Sequence, residues 1–165
     1  MKVLGVDPGI HGALAIVAIN DGTAPQLIDV LDVPVIGAGA KERVNTMLVR
    51  DWLAQHAPDY ALIERAGSMP KQGIASTFKY ARAVGSLETV IACSDIPYSF
   101  VEPSTWKKFF GLRGKDEESA RQKAIATFPA AHGLFGRKKD HQRAEAALLA
   151  LTPVPGVLPR AKVTN

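Results

Sequence analysis

Two apolar runs that each stop on a carboxylate constrain this chain more than any other feature. The first, Val3–Val6, ends at Asp7; a Pro-Gly turn follows, and a second apolar run, Ala13–Ile19, returns at once. That pattern predicts a hairpin of two buried strands with an acid at the lip of the first. The second case is Tyr60–Ile63, which ends on Glu64. A charge at the end of a core strand is costly unless something pairs with it. A hard divalent cation such as Mg²⁺, which prefers oxygen ligands, would do so.

The remaining periodicities fill in an α/β pattern. Strands are predicted over about Lys2–Val6, Ala13–Ile19 and Gln26–Val33, joined by turns rich in Gly, Pro and Asp. Residues 37–40 read as a loop. A helix is expected from Lys41 to Pro58, with Val44, Leu48 and Trp52 as its inner stripe, widened by Met47 and Leu53. After the Glu64 strand, residues 65–74 read as a polar loop, and Phe78, Ala81, Leu87 and Ile91 mark a helix reaching Cys93. Tyr98–Val101 is a further strand, and Pro103 opens a short helix, PSTWKKFF. A helix over Asp116–Phe128 carries acids in its first turn, and the run RAEAALLAL forms a last, deeply buried helix ended by Pro153. Three antiparallel strands followed by βα units predict a mixed five-stranded sheet with helices on both faces. The expected organisation is one domain over residues 1–152 and an irregular tail over 153–165.

Glu145 is the only charge inside AEAALLAL, and an apolar helix would not bury it unpaired. Asp7, Glu64 and the pair Asp140/Glu145 therefore form a candidate acidic constellation. Two nearby carboxylates repel unless a cation or a proton intervenes. Residues five apart on a helix lie about 140° apart, so Asp140 belongs in the approach to the last helix if it is to help Glu145. His141, four residues before Glu145, shares its face and competes with Asp140 for the fourth position. Asp140 is favoured because Mg²⁺ and Mn²⁺ prefer oxygen.

The chain carries +4, unevenly spread. From Pro103 to Arg143 there are ten Lys/Arg against four Asp/Glu, so the other residues carry net −2. This one-sidedness predicts a polyanionic partner, most often nucleic acid. Lys107, Lys108, Arg113, Lys115, Arg137, Lys138 and Lys139 are the candidate phosphate contacts, and Met69 is a candidate wedge between bases. Trp106, Phe109 and Phe110 are candidates to stack on bases, with core packing the favoured reading. No apolar stretch approaches the length of a membrane span, and the Asp7 motif arrives too soon for a signal-peptide core. The single cysteine, Cys93, fits a reducing compartment and reads as a core residue.

These residues resemble the RuvC family of Holliday junction resolvases, within the ribonuclease H-like superfamily. The resemblance runs through VLGVDPGIHGALAIV, LIERA, FKYARAVGSLETVIA, FVEPSTWKKFFGLRGKDEESARQKAIATFP and DHQRAEAALLA, about Met1 to Leu151. It implies a ribonuclease H-like fold, a homodimer and an active site of Asp7, Glu64, Glu145 and Asp140, with His141 as the alternative fourth group. It also implies two Mg²⁺ or Mn²⁺ ions per site and hydrolysis of four-way or related branched DNA in the cytoplasm, by a nucleoid-associated or phage-encoded enzyme. The chain departs from the family at the final acid. Glu145 stands where an Asp is usual, and Gln142 stands three residues earlier in place of a second ligand. Both departures resemble the phage and prophage branch. Two other readings compete with this one: an inactive junction-binding module, and a nuclease of the same fold acting on flap DNA, three-way DNA or RNA.

Overall fold

A computed structural model describes residues 1–65, 67, 73–112 and 117–158. Its main sheet has five strands: β1 (Lys2–Asp7), β2 (Ala13–Ala18), β3 (Gln26–Asp32), β6 (Tyr60–Glu64) and β7 (Tyr98–Val101). The order is β3-β2-β1-β6-β7. The first three strands are antiparallel neighbours, and β1–β6 and β6–β7 are parallel pairs, so the sheet is mixed as the strand pattern predicted. Two short strands not foreseen from sequence, β4 (Val35–Ile36) and β5 (Arg43–Val44), pair as a separate ribbon. Two residues are too few to display an alternation. Lys79 pins this ribbon by binding the Glu42 carboxylate at 2.5 Å, and Arg82 donates to the Glu42 carbonyl at 2.6 Å.

Strand alternation divides the core in two. Val3, Ala13, Ala15, Val17 and Leu62 face one side, packing with Trp106 and the last helices. Leu4, Val6, Leu14, Ile16, Ala61 and Ile63 face the other, against α1 (Thr46–His56) and α2 (Ile74–Ala92). The first side is closed by α3 (Pro103–Phe109), α4 (Glu117–Thr127) and α5 (His141–Leu149). Helices thus cover both faces.

Helix α1 starts five residues later than the sequence suggested, because the Asn45 side chain caps it by accepting from the Leu48 N–H at 3.3 Å. Its buried stripe is Val49 and Leu53, while Met47 and Leu48 are exposed. Helix α2 begins at Ile74, ahead of the expected Phe78. Cys93 is exposed just beyond the α2 C-terminus rather than in the core, because the helix stops one residue short of it. Past α5, Val154 and Leu158 form an isolated bridge, and Leu158 is buried in the core.

Helix α5 packs very closely on β1. A Cβ added to Gly5 would stand 2.0 Å from the Ala146 carbonyl oxygen and 2.8 Å from the Ala150 nitrogen. Only a glycine in the middle of β1 lets the helix backbone come this near the sheet.

Candidate active site

Parity places the first two acids. Val3 and Gly5 face α5, so Asp7, two residues further on, points to the same side. Leu62 shares that face, and Glu64 follows it two residues on. The parallel register runs Val3↔Tyr60 to Val6↔Ile63. Continued by one residue, it sets Asp7 beside Glu64. The turn after Asp7 is tight, since a Cβ at Gly12 would lie 2.1 Å from the Asp7 carbonyl oxygen. The third acid arrives on α5, where Glu145 immediately precedes Ala146, the residue seated over Gly5.

The electrostatics tie these three together. Burial raises the Asp7 carboxyl well above its usual range, and the Glu145 and Glu64 charges add to the shift while Lys107 opposes it. Glu64 is raised by burial, against an opposing hydrogen bond from Trp106 and the Lys107 charge. Glu145 is raised by burial, with Lys107 opposing and Glu64 contributing to the rise. The Tyr80 hydroxyl is also raised, by burial and then by Asp7 and Glu64. Beside Asp7 opens a cleft of about 450 Å³, whose lining includes Gly9, His11, Lys79, Tyr80 and Gln142.

Two neighbours of the acids come from α3. The indole Nε1 of the fully buried Trp106 donates to Glu64 Oε2 at 2.6 Å. The Lys107 ammonium lies 4.0 Å from Glu145 Oε1 and 5.1 Å from the centre of the Trp106 ring. The net basic charge of the segment suggested Lys107 as a phosphate contact; its place among the carboxylates was not legible from that. Trp106 and Phe110 are core residues, and Phe109 packs against them.

The other candidates lie elsewhere. Asp140 is buried, but its carboxylate turns back to the preceding turn. It accepts from the Arg137 backbone N–H at 2.8 Å and from the Arg137 guanidinium at 2.8 and 3.1 Å. These bonds, chiefly those of the Arg137 side chain, hold it below the usual carboxylate range. Arg143 extends the network, lying 3.8 Å from Asp140 and bonding Asp32 at 2.5 and 2.6 Å. Arg137 is thus engaged by Asp140, whereas Lys108, Lys138 and Lys139 are exposed. His141 opens α5; its Nδ1 meets the Lys138 carbonyl at 3.1 Å, its Nε2 lies 3.6 Å from Glu117, and its charge acts on Glu145. Met69, Arg113 and Lys115 lie outside the described residues.

The chemistry of the donors suits a divalent cation: three desolvated carboxylates, each raised, with two of them adding to the shift of Asp7 and a single ammonium among them. Among the described residues no three Asp, Glu, His or Cys side chains converge closely enough to hold an ion as they stand.

A mixed sheet in this order, with helices on both faces and acids at the ends of β1 and β6 and on the last helix, defines a ribonuclease H-like α/β protein. No protein-family model matches the chain. Over 121 residues it is 30% identical to the crossover junction endodeoxyribonuclease RuvC of a Nocardioides species, a match covering 70% of this chain and 66% of that protein, just under two thirds. The fold matches Thermus thermophilus RuvC in complex with a Holliday junction substrate at TM-score 0.65, with 20% identity and 92% of each chain covered. It also matches the fowlpox virus resolvase in complex with Holliday junction DNA, at TM-score 0.55 and 17% identity over 92% of this chain and 95% of that one. For the yeast mitochondrial Holliday junction resolvase the TM-score is 0.57 and the identity 14%, over 90% of this chain and 76% of that one. The chain is thus similar in sequence to a RuvC nuclease and in fold to solved Holliday junction resolvases.

Proposed function

We propose that this protein is a metal-dependent crossover junction endodeoxyribonuclease that binds four-way DNA by shape and hydrolyses its phosphodiester bonds. The observation that supports the reading is that Asp7, Glu64 and Glu145, from three separate elements, are desolvated carboxylates near enough for Glu145 and Glu64 to raise Asp7. Desolvated like charges are unfavourable for folding and are kept where chemistry needs them.

Asp7, Glu64 and Glu145 would hold Mg²⁺ or Mn²⁺. A pair of such ions, when bound, supplies water activation and charge stabilisation on the departing oxygen. The chain's own groups do the rest. Lys107, beside Glu145, places a positive charge where a phosphate gains negative charge during displacement. His141 lies one turn before Glu145 on the same face and is the better placed fourth group, since Asp140 is committed to Arg137. The exposed Lys108, Lys138 and Lys139 track the DNA backbone without reading sequence.

The protein acts as a homodimer in the cytoplasm, where a two-fold pair of sites matches a four-way junction. Ile74 and Phe78 on α2, 91% and 67% exposed, with Met47 on α1 at 65%, form the apolar face a second copy would cover. Sedimentation of Phe78→Glu should give a monomer; an unchanged dimer rejects this face. Among the described residues no helix is long and apolar enough to cross a membrane.

The deciding experiment is Asp7→Asn on a labelled four-way junction. Cleavage should be lost and junction binding kept. Cutting at the wild-type rate would overturn the assignment.

A further inference from the structure

We propose that Trp106 is a positioning residue for the acidic group: its indole N–H ties down one oxygen of Glu64 and leaves Oε1 as the donor for a divalent cation. This rests on the metal-dependent reading above and adds a residue to it. Trp106 is completely buried, and the 2.6 Å bond to Glu64 Oε2 is the partner its N–H has. A buried indole whose only need was apolar packing could be a phenylalanine; the N–H is an added requirement that must be met. The bond joins α3 to the end of β6 across 42 residues of sequence. A glutamate at a strand end has three rotatable side-chain bonds, and one short bond to a rigid, buried ring removes most of that freedom.

The same ring also borders a neighbour of the acid on α5. Lys107 lies 5.1 Å from the ring centre and 4.0 Å from Glu145 Oε1. The indole face thus borders the ammonium that reaches the acid on α5, while its edge holds the acid on β6. One side chain thus links the acid on β6 with the neighbour of the acid on α5. Groups that orient ligands in this way contribute to metal affinity without touching the metal.

The test is Mn²⁺ binding by calorimetry to the full chain, with no DNA and no turnover. Two variants are compared with wild type: Trp106→Phe, and Trp106→3-benzothienylalanine, in which sulfur replaces the N–H and the ring shape is kept. Both should bind Mn²⁺ about 10- to 100-fold more weakly. The sulfur variant should melt at the wild-type temperature and bind four-way DNA in EDTA as wild type does. If the sulfur variant binds Mn²⁺ within twofold of wild type, the positioning role is refuted and the metal site stands. If wild type itself takes up no Mn²⁺, the metal-dependent reading falls and this inference with it. A spectroscopic arm uses Trp52→Phe, which leaves Trp106 as the single tryptophan. Mn²⁺ should quench its emission along the calorimetric curve, and emission indifferent to saturating Mn²⁺ would place the ion away from Glu64 and refute the proposal.

Discussion

Replacing Gly5 with alanine should separate the last helix from the sheet and thereby disable the cleft. The new Cβ would sit 2.0 Å from the Ala146 carbonyl oxygen, where ordinary contact begins near 3.4 Å. Helix α5 must therefore retreat by about 1.4 Å, or by about 1 Å if the tightest tolerated contact of 3.0 Å is accepted. Backbone atoms make the clash, so no change of side chain at Ala146 or Ala150 relieves it. Overpacking of this kind costs about 1–3 kcal/mol, which for a chain of this length lowers Tm by about 2–12 °C. Glu145 rides on the displaced helix. A catalytic group moved by about 1 Å loses about 100-fold in rate. Calorimetric melting and single-turnover cleavage of a labelled four-way junction at saturating Mg²⁺ measure the two effects. An unchanged Tm would refute the claim that α5 rests on Gly5. A lowered Tm with unaltered cleavage, measured well below the melting range, would refute the claim that this contact places Glu145.

The metal-free protein should respond to pH in the direction its raised carboxyls dictate. Asp7 has its pKa raised on folding, so its stabilising contribution is complete below the unfolded carboxylate value and is lost as pH rises through the folded one. In EDTA at pH 7, Asp7→Asn should melt above wild type, and the gap should close as pH is lowered; a variant less stable than wild type at pH 7 contradicts this. Asp140 runs the other way, because its folded value is depressed. Asp140→Asn should cost about 2 kcal/mol at pH 7, with the deficit vanishing as pH falls through the folded value, while Mn²⁺ affinity stays at wild type. Loss of Mn²⁺ binding without loss of stability would return Asp140 to the metal-binding set. Lys138→Ala with Lys139→Ala, which removes four charges from the proposed dimer, should reduce the slope of log affinity against log salt by about 3.6, equally for different junction sequences, and an unaltered slope removes those lysines from the DNA path.

Much of this was visible in the order of residues, and the reasons for the rest are specific. The main sheet was legible because β1, β2 and β6 are nearly continuous apolar runs punctuated by turn residues. Asp7 and Glu64 stood out because they end such runs, and Glu145 because it is alone in an apolar helix. Their common face could also have been read from the two-residue period, which aligns Asp7 with Val3 and Glu64 with Leu62. Asp140 carries no such signal: whether an acid before a helix points forward or back is decided by Arg137, whose backbone and side chain both donate to it. The Trp106–Glu64 bond depends on two elements meeting in space, and no local pattern announces it. The β4–β5 ribbon is too short to have a period, and α1 begins where Asn45 caps it rather than where its apolar spacing begins.

Because the third carboxylate rides on α5, no early portion of the polypeptide can hold the complete set. During synthesis β1 and β6, which carry two of the acids, are made before the helix that brings Glu145. A nascent or truncated copy ending before residue 141 would therefore carry two of the three carboxylates and lack the helix that brings the last.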